Sequence, residues 1–561
     1  MNTRPTDSAR LRPRRHLNLP NPAIPLTLPT RRKLVRSQAG GSNNVVIIGA
    51  GLAGLSAALR LRGAGRTVTV IEAASHVGGR CATETLTSAH GEFRADTGAT
   101  VFTMPQLVVS ALAAVGRTPA DVGLQFRRLQ PAYRGLFTSG RHLDLHSDAD
   151  AMRAEIARFA TTKFGASSPA ECERLISGYS QHRAWAREVF SAAYDNFLAA
   201  DFDGPLDLVS TPAAASDLGH LAAIGAFGSL QSVAHKHLGD SELEKLFTFQ
   251  ALYAGTAPKQ ARAVYAVISH MDSTMGVFYP QDNIGEVAEA MAVAARDAGV
   301  RILLGDPVVD VDISDGDIRS IRTEQGEEFT PDVVISTADL SVTAELLDRP
   351  LQPRTRLLKY NWSPSAVVIH GSIPRDITES WPSQRHHTIC FGEKWDETFH
   401  ELVGRGEMMS DPSLLVTRPA VTSPSRRFGP TEQFEPISIL APAPNLQRGT
   451  QRWASITEPY VQEVLSVLQQ RGFSGLADSL SIARVDTPQT WSTEHGYAAG
   501  TPFSLSHTFT QTGPFRPRNR SAFGINNLVL AGTGTTPGVG VPTVILSGAL
   551  AARRITGGGV R

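Results

Sequence analysis

The segment from Val45 to Arg80, VVIIGAGLAGLSAALRLRGAGRTVTVIEAASHVGGR, decides the fold. It opens on a β-branched run that predicts a strand buried on both faces. Gly49, Gly51 and Gly54 then form a G-x-G-x-x-G motif, and a helical apolar stripe follows. A second β-branched run ends at Glu72. Strand, motif, helix, strand and acid in this order predict a βαβ unit that binds a dinucleotide.

Each residue of the motif has a physical task. Gly49 allows the tight turn from strand to helix, Gly51 lets the backbone approach a pyrophosphate, and Gly54 lets helix and strand pack closely. The helix N-terminus offers free N–H groups to the phosphates. Glu72 is placed to bind a ribose, and its charge would repel the 2′-phosphate of NADP. The motif alone leaves NAD and FAD open.

The next residues favour FAD. Gly79 and Arg80 close a Gly-Gly-Arg turn just after the acid. This turn resembles the second phosphate-contacting turn of the FAD-dependent amine-oxidase and carotenoid-desaturase superfamily. The planar fork of an arginine suits a pyrophosphate because it can donate two hydrogen bonds.

Two further motifs narrow the family. The segment 93–105, FRADTGATVFTMP, resembles the F-x-x-D-x-G-P-T-x-x-x-x-P motif of bacterial-type phytoene desaturases, with Ala99 where proline is usual. In that family the segment lies beside the flavin, which implies cofactor contacts for Gly98 and Thr100. Asp96 is then the first candidate for an acid or base in catalysis. Its alternative role is to orient a turn through hydrogen bonds to backbone N–H groups.

The segment 527–542, NLVLAGTGTTPGVGVP, resembles the C-terminal N-L-Y-x-V-G-A-G-T-H-P-G-A-G-I-P signature of the same family. The resemblance implies that Gly532, Thr536 and Val541 contact the flavin, although Thr536 replaces the usual histidine. It also implies that the backbone of Val308 meets the adenine. With shorter matches between these motifs, the resemblance extends from about residue 45 to residue 555.

The resemblance implies an α/β fold with a Rossmann-like, discontinuous FAD-binding domain and an inserted α+β substrate domain. We expect a basic disordered tail at 1–42 and the three parts of the FAD-binding domain at 43–130, 281–345 and 520–561. We expect the substrate domain at 131–280, which is largely helical and faces the membrane, and at 346–519. Large apolar residues between 243 and 268 are interpreted as core, with lining of an apolar tunnel or a membrane-facing patch as the alternative.

Composition excludes several classes of protein. The 561 residues contain 54 Lys plus Arg and 53 Asp plus Glu, so a dedicated nucleic-acid binder is not expected. Three dispersed cysteines suggest no disulfide framework and fit the cytoplasm. The adjacent pair His386 and His387 has no third ligand at metal spacing, so we expect a solvated loop and no metal. The uncharged stretch 521–552 is rich in Gly and Pro, which favours a buried strand, loop and helix over a membrane span.

The basic tail, with nine Lys and Arg against Asp7 in residues 1–40, has three interpretations. It is an extension without function, a segment that is attracted electrostatically to anionic lipid headgroups, or a targeting sequence.

The activity implied by the resemblance is FAD-dependent desaturation of phytoene toward lycopene. A hydride passes to flavin N5 and a proton leaves the adjacent carbon. Because the polyene delocalises charge, a strong protein base is not required. The implied partners are phytoene, a membrane surface bound peripherally, and quinone or oxygen as electron acceptor. The alternatives are another carotenoid oxidoreductase of this fold, an amine oxidase, or a non-catalytic carotenoid-binding flavoprotein.

Overall fold

The computed structural model describes residues 44–165, 168–351, 360–520 and 523–557. The predicted tail at 1–42 lies outside these residues.

The strands and helices are numbered in chain order. The strands are β1 Asn44–Ile48, β2 Thr67–Ile71, β3 Thr83–Ser88, β4 Gly91–Asp96, β5 Phe126–Arg128, β6 Tyr133–Leu136, β7 His142–Leu145, β8 Phe278–Pro280, β9 Arg301–Leu303, β10 Val308–Ser314, β11 Asp317–Thr323, β12 Glu328–Phe329, β13 Val333–Ser336, β14 Ser365–Pro374, β15 His387–Cys390, β16 Leu414–Thr417, β17 Phe434–Ala443, β18 Ser481–Asp486 and β19 Leu528–Leu530. The α-helices are α1 Leu52–Gly63, α2 Gln106–Ala113, α3 Ala149–Phe164, α4 Pro169–Ala193, α5 Pro212–Ala223, α6 Leu230–Leu238, α7 Ser241–Thr248, α8 Ala266–His270, α9 Glu286–Asp297, α10 Leu340–Leu346, α11 Arg375–Glu379, α12 Trp395–Phe399, α13 Trp453–Gln470, α14 Leu476–Ser479, α15 Pro488–Thr493 and α16 Val541–Thr556.

A five-stranded parallel sheet forms the first layer, in the order β19-β13-β1-β2-β9. Its strands come from three separate stretches of the chain, as the prediction of a discontinuous Rossmann-like domain requires. Helices α1, α2, α9 and α16 pack together beside this sheet. The crossing of α1 and α16 is close, because a Cβ atom at Gly548 would lie 2.1 Å from the carbonyl oxygen of Ala53.

A seven-stranded sheet forms the second layer, in the order β18-β14-β17-β16-β15-β6-β7. It combines strands from both predicted inserts, because β6 of the first insert pairs in parallel with β15 of the second. Helices α3 to α8 fill the first insert, so its largely helical character is confirmed. The α/β class and the two-domain architecture are thus confirmed, whereas the exact domain limits stay predictions.

The uncharged C-terminal stretch forms β19, a glycine-rich loop and α16, as expected. Ile545, Leu550 and Ala551 of α16 are buried. Within the described ranges, no helix combines the length and apolarity needed to cross a bilayer.

Candidate active site

The G-x-G-x-x-G turn joins β1 to α1. Gly49 has a φ of +104° and donates its N–H to the carbonyl oxygen of Ile71 at 2.8 Å. A Cβ atom at Gly54 would lie 2.0 Å from the carbonyl oxygen of Gly49. Both glycines are therefore required by the fold itself, the first for its backbone conformation and the second for packing.

Gly51 is different, because the protein leaves space beside it. A Cβ atom there would come near only the carbonyl oxygen of Gly78, at 3.8 Å. Gly51 is also the N-cap of α1, and no side chain caps this helix end. Open space next to uncapped helical N–H groups fits the pyrophosphate of a dinucleotide.

Glu72 lies immediately after β2 and faces this turn. One carboxylate oxygen accepts the N–H of Ala50 at 2.6 Å, and the other accepts that of Ala74 at 2.9 Å. The backbone of Asp306 donates to the carbonyl oxygen of Glu72 at 3.2 Å, which brings the chain entering β10 to the same place. Val308, the predicted adenine contact, begins β10 and is buried. The contact of Glu72 with a ribose and that of Val308 with an adenine stay predictions.

Arg80 joins three segments. Its guanidinium pairs with Asp339 at 2.8 Å, donates to the hydroxyl of Thr533 at 3.2 Å, and stacks 3.7 Å from the ring centroid of Tyr497. Burial opposes the charge, but Tyr497 and Asp339 outweigh it and raise the pKa of Arg80 above its usual value. A permanent cation is thereby fixed beside the Gly-Gly-Arg turn.

The D-x-G segment, Asp96 to Gly98, packs directly against the Gly-Gly-Arg turn. A Cβ atom at Gly98 would lie 2.2 Å from the carbonyl oxygen of Arg80, and Ala99 donates its N–H to the same oxygen at 3.0 Å. Gly79 lies next to Gly51, since a Cβ atom at Gly79 would be in van der Waals contact with the Cα of Gly51, at 3.6 Å. The structure therefore brings together three motifs that are up to 50 residues apart in the sequence.

The C-terminal signature is held by Arg516, which is fully buried. It donates to the carbonyl oxygens of Thr533 at 2.7 Å, Thr535 at 3.1 Å and Leu505 at 3.1 Å. These bonds satisfy loop carbonyl groups that would otherwise be buried without partners.

Three predicted flavin contacts belong to this signature. Gly532 has a φ of +106°, and its N–H donates to the hydroxyl of Ser547 at 3.1 Å. The hydroxyl of Thr536 donates to Asn519 at 3.1 Å, and Val541 opens α16. Their contact with a flavin stays a prediction.

Asp96 ends β4 in a buried polar cluster. Its carboxylate accepts the hydroxyl of Thr83 at 2.8 Å and that of Tyr279, and it pairs with Arg426 at 3.3 Å. One backbone N–H, that of Ile284, approaches at 3.4 Å. The alternative role as a turn-orienting group thus applies in a modified form, because side chains supply most of the donors. A role for Asp96 in proton transfer stays a prediction.

An apolar pocket lies against one face of the second sheet. Its lining is hydrocarbon and aromatic, apart from the hydroxyls of three residues and the thioether of Met409: Phe249, Leu252, Tyr253, Ile389, Phe391, Trp395, Thr398, Phe399, Leu402, Met409, Ser413, Leu414, Leu415, Leu440 and Pro442. Phe249, Leu252 and Tyr253 come from the apolar-rich segment 243–268. Most of that segment is core, and this part lines the pocket.

The expectation of a solvated loop at His386 and His387 is wrong. His387 begins β15, and both side chains are buried. Burial lowers the pKa of His387 to about 4 and that of His386 well below its usual range, so both rings are neutral. A polar dipeptide suggests a loop, but tertiary packing placed His387 in a strand and both rings next to aromatic side chains.

Asp272 was not recognised in the sequence. It follows α8, is buried, and accepts a hydrogen bond from the hydroxyl of Tyr133 at 3.3 Å. Burial raises its pKa to about 7. The sequence has no signal for this role, because a lone aspartate in an apolar segment resembles any helix-terminal acid.

Comparison with known proteins identifies the family. The family model described as flavin containing amine oxidoreductase matches residues 52–556. The phytoene dehydrogenase of Streptomyces griseus is 45% identical over 521 residues, covering 92% of this chain and 96% of that protein. The neurosporene-forming phytoene desaturase of Rhodobacter capsulatus is 31% identical over 523 residues, covering 92% and 94%. A solved oxidoreductase from Methanosarcina mazei shares the fold, with a TM-score of 0.55, 15% identity, and coverage of 90% and 99%.

The fold and the matched motifs thus define a flavin-dependent oxidoreductase. The chain belongs to the flavin containing amine oxidoreductase family and, within it, to the bacterial phytoene desaturase group. The resemblance stated from the motifs is confirmed, and so is FAD as the cofactor.

Proposed function

We propose that this protein desaturates phytoene toward lycopene with FAD as the oxidant. The observation that carries the proposal is the 45% identity to the Streptomyces griseus phytoene dehydrogenase over 92% of this chain. A small apolar pocket, whose lining contains no charged side chain among the described residues, is in keeping with it. A C40 polyene has no polar group to bind, so an apolar wall is the matching surface. A cationic amine would instead be paired with a carboxylate, and none of the residues lining this pocket carries one, which disfavours the amine-oxidase alternative.

The residues proposed to hold FAD are those that the family resemblance implies, and the geometry of the turns supports the proposal. Gly49, Gly51 and Gly54 form the pyrophosphate turn, and Gly79 and Arg80 close it from the opposite side. Glu72 binds the ribose and the backbone of Val308 meets the adenine. The flavin-side contacts are Gly98, Thr100, Gly532, Thr536 and Val541. When bound, FAD supplies the acceptor for the hydride.

The protein then holds the polyene, excludes water and accepts the proton. Asp96 is a candidate for proton transfer, although its ion pair with Arg426 argues against direct contact with substrate. We propose quinone or oxygen as the acceptor that reoxidises the flavin.

We also propose a cytoplasmic protein bound peripherally to a membrane, because phytoene resides in lipid. Five exposed apolar side chains support this: Leu206, Val209, Phe227, Phe509 and Phe515. Phe509 and Phe515 stack with centroids 5.9 Å apart. Arg262 lies 5.6 Å from the Phe509 ring and donates to the carbonyl oxygen of Phe227 at 2.9 Å. Aromatic rings around an exposed cation suit the interface of an anionic bilayer.

Flotation with phosphatidylglycerol vesicles tests the membrane surface. The double variant F509S/F515S should lose most vesicle binding at high salt, where attraction of the basic tail is screened. The control V293S/I482S removes two apolar side chains that are also exposed, at 44% and 37%. Equal flotation of both variants would place the membrane contact elsewhere.

The activity is tested by chromatography of pigments formed when FAD-loaded protein meets phytoene in liposomes. Lycopene, with its shorter-conjugated precursors at early times, would support the proposal and count the steps. A second candidate is desaturation that stops at neurosporene, favoured by the name of the Rhodobacter relative. Accumulation of neurosporene at long times would select it.

A further inference from the structure

One contact at the proposed pyrophosphate turn lies outside all of the sequence motifs. The guanidinium carbon of Arg80 lies 3.7 Å from the ring centroid of Tyr497, well within the range of a cation–π contact. Tyr497 belongs to the second predicted part of the substrate domain, 346–519, whereas Arg80 closes the Gly-Gly-Arg turn of the FAD-binding domain. The cofactor contacts proposed above leave Tyr497 without a role.

The contact covers the face of the guanidinium and leaves its edge to other partners. A guanidinium has five N–H groups, and all of them lie in its plane. Within the protein this edge donates to Asp339 at 2.8 Å and to the hydroxyl of Thr533 at 3.2 Å. The Nε–H group of Arg80 has no hydrogen-bond partner in the part of the chain that the structure describes, and 24% of the side chain is exposed. In-plane donors thus remain for the oxygens of an anionic ligand.

The Tyr497 ring restrains the cation without neutralising it. Burial raises the pKa of the Tyr497 hydroxyl above its ordinary value, so the ring is a neutral phenol at neutral pH. It therefore binds the guanidinium through its π face and not as an ion pair. A second carboxylate beside Asp339 would offset the charge that a pyrophosphate needs, whereas an aromatic face preserves it.

The position of the Tyr497 ring is fixed by the second sheet and by α10. The Tyr497 N–H donates to the carbonyl oxygen of Trp491 at 3.0 Å, and the two rings stack with centroids 6.2 Å apart. The indole N–H of Trp491 donates to the carbonyl oxygen of Ala366 in β14 at 3.0 Å. The carbonyl oxygen of Gly496 accepts the hydroxyl of Ser341 in α10 at 3.0 Å. The ring is thus a fixed wall against which Arg80 is held.

We propose that Tyr497 is a positioning residue for the cofactor, a role that rests on the proposed contact of Arg80 with the pyrophosphate of FAD. The ring holds the guanidinium in one plane, so that its N–H groups point where the phosphate oxygens bind. An arginine ordered in advance loses less side-chain entropy when the ligand arrives. The substrate domain thereby takes part in holding the cofactor, through a residue that never needs to touch it.

A double-mutant cycle tests whether Tyr497 acts through Arg80. Y497F keeps the aromatic face, Y497L keeps apolar bulk without that face, and R80K keeps the charge without the planar fork. The fourth variant is R80K/Y497L. The control H495A removes an exposed ring that stacks on Tyr497 with centroids 5.4 Å apart, and it leaves the contact with Arg80 in place. FAD-loaded proteins are diluted in steps, and flavin fluorescence at equilibrium gives the Kd for FAD. Thermal melts give the Tm, and Y497M replaces Y497L if leucine prevents folding.

We expect Y497L to raise the Kd for FAD about fivefold, the size of a partly buried cation–π contact. Y497F and H495A should stay within about twofold of wild type. In the R80K background Y497L should add almost nothing, because an ammonium group has no plane to align. The same fivefold loss in both backgrounds would show that Tyr497 acts independently of Arg80 and would overturn the proposal. A loss in H495A as large as that in Y497L would also overturn it, because the cause would then be general loosening of the loop.

R80K separates this inference from the assignment on which it rests. A raised Kd in R80K together with a wild-type Kd in Y497L would overturn the role of Tyr497 alone. An unchanged Kd in R80K would remove Arg80 from the cofactor contacts, and the role of Tyr497 would fall with it.

Discussion

The carbonyl oxygen of Gly49 occupies the space that a side chain at Gly54 would need, since a Cβ atom there would lie 2.0 Å away. At Gly51 the nearest atom found is 3.8 Å from such a Cβ atom. The motif thus contains two kinds of glycine. One kind is required by the packing of the chain, and the other leaves open the space that we propose for the pyrophosphate.

This difference predicts opposite results for two substitutions. G51V should fold with a Tm close to wild type but purify without FAD, because its side chain would occupy the pyrophosphate space. G54V should lose about 1–3 kcal/mol or more in the free energy of unfolding, because backbone cannot move aside easily. Flavin absorbance and thermal melts measure both effects. G219A, at an open position in α5, is the control. Normal FAD content in G51V would contradict the assignment of this turn.

Arg80 should matter for cofactor affinity more than for folding. R80K keeps the charge but loses the planar fork that reaches Asp339 and Thr533 together. We expect its Kd for FAD to rise about tenfold, corresponding to one charge-assisted hydrogen bond. Titration of the apoprotein with FAD measures this Kd. An unchanged Kd in R80K would show that Arg80 only joins protein segments.

The ion pair between Arg426 and Asp96 predicts a large stability effect. R426M would leave the Asp96 carboxylate buried without its cation, which costs about 3–5 kcal/mol of the free energy of unfolding. R322M removes the partner of Asp310 from an exposed pair and should change stability little. Urea unfolding compares the two variants. Equal stability of R426M and R322M would show that Asp96 finds other donors in the cluster.

Asp272 predicts a dependence of stability on pH. Its native pKa of about 7 lies above the ordinary value of 3.8, so the native state binds more protons than the unfolded state between these pH values. The contribution of Asp272 to the free energy of unfolding is therefore largest below about pH 4. It falls as the pH rises and is lost above about pH 7. D272N should therefore be more stable than wild type at pH 8, by up to about 4 kcal/mol, because one pKa unit corresponds to about 1.4 kcal/mol. Melts at pH 5 and pH 8 check this, and a constant difference would contradict it.

The sequence predicts the first sheet and its turns well, because local patterns determine them. The strand at Val45–Ile48, the three glycines and Glu72 lie within 28 residues, and hydrophobic periodicity is sufficient there. The buried state of His386 and His387 was missed, because it depends on aromatic partners, such as Tyr133 and Tyr279, more than 100 residues away.

Long-range packing also explains the other differences. The sequence cannot show that Arg516 turns inward to four loop carbonyl groups, since its neighbours in sequence are ordinary loop residues. The partners of Asp96 come from β3, β8 and the segment before β17, and no spacing rule joins these. Motifs thus locate the candidate cofactor contacts, whereas the partners of the buried ionisable groups emerge only from the fold.

The most direct measurement is anaerobic mixing of FAD-loaded protein with phytoene in liposomes, with flavin absorbance followed over time. Desaturation predicts that the oxidised flavin bleaches and that one new double bond forms per flavin reduced. Protein with full FAD content that neither bleaches nor alters phytoene would contradict the account. It would instead support a later carotenoid substrate or a non-catalytic carotenoid-binding flavoprotein.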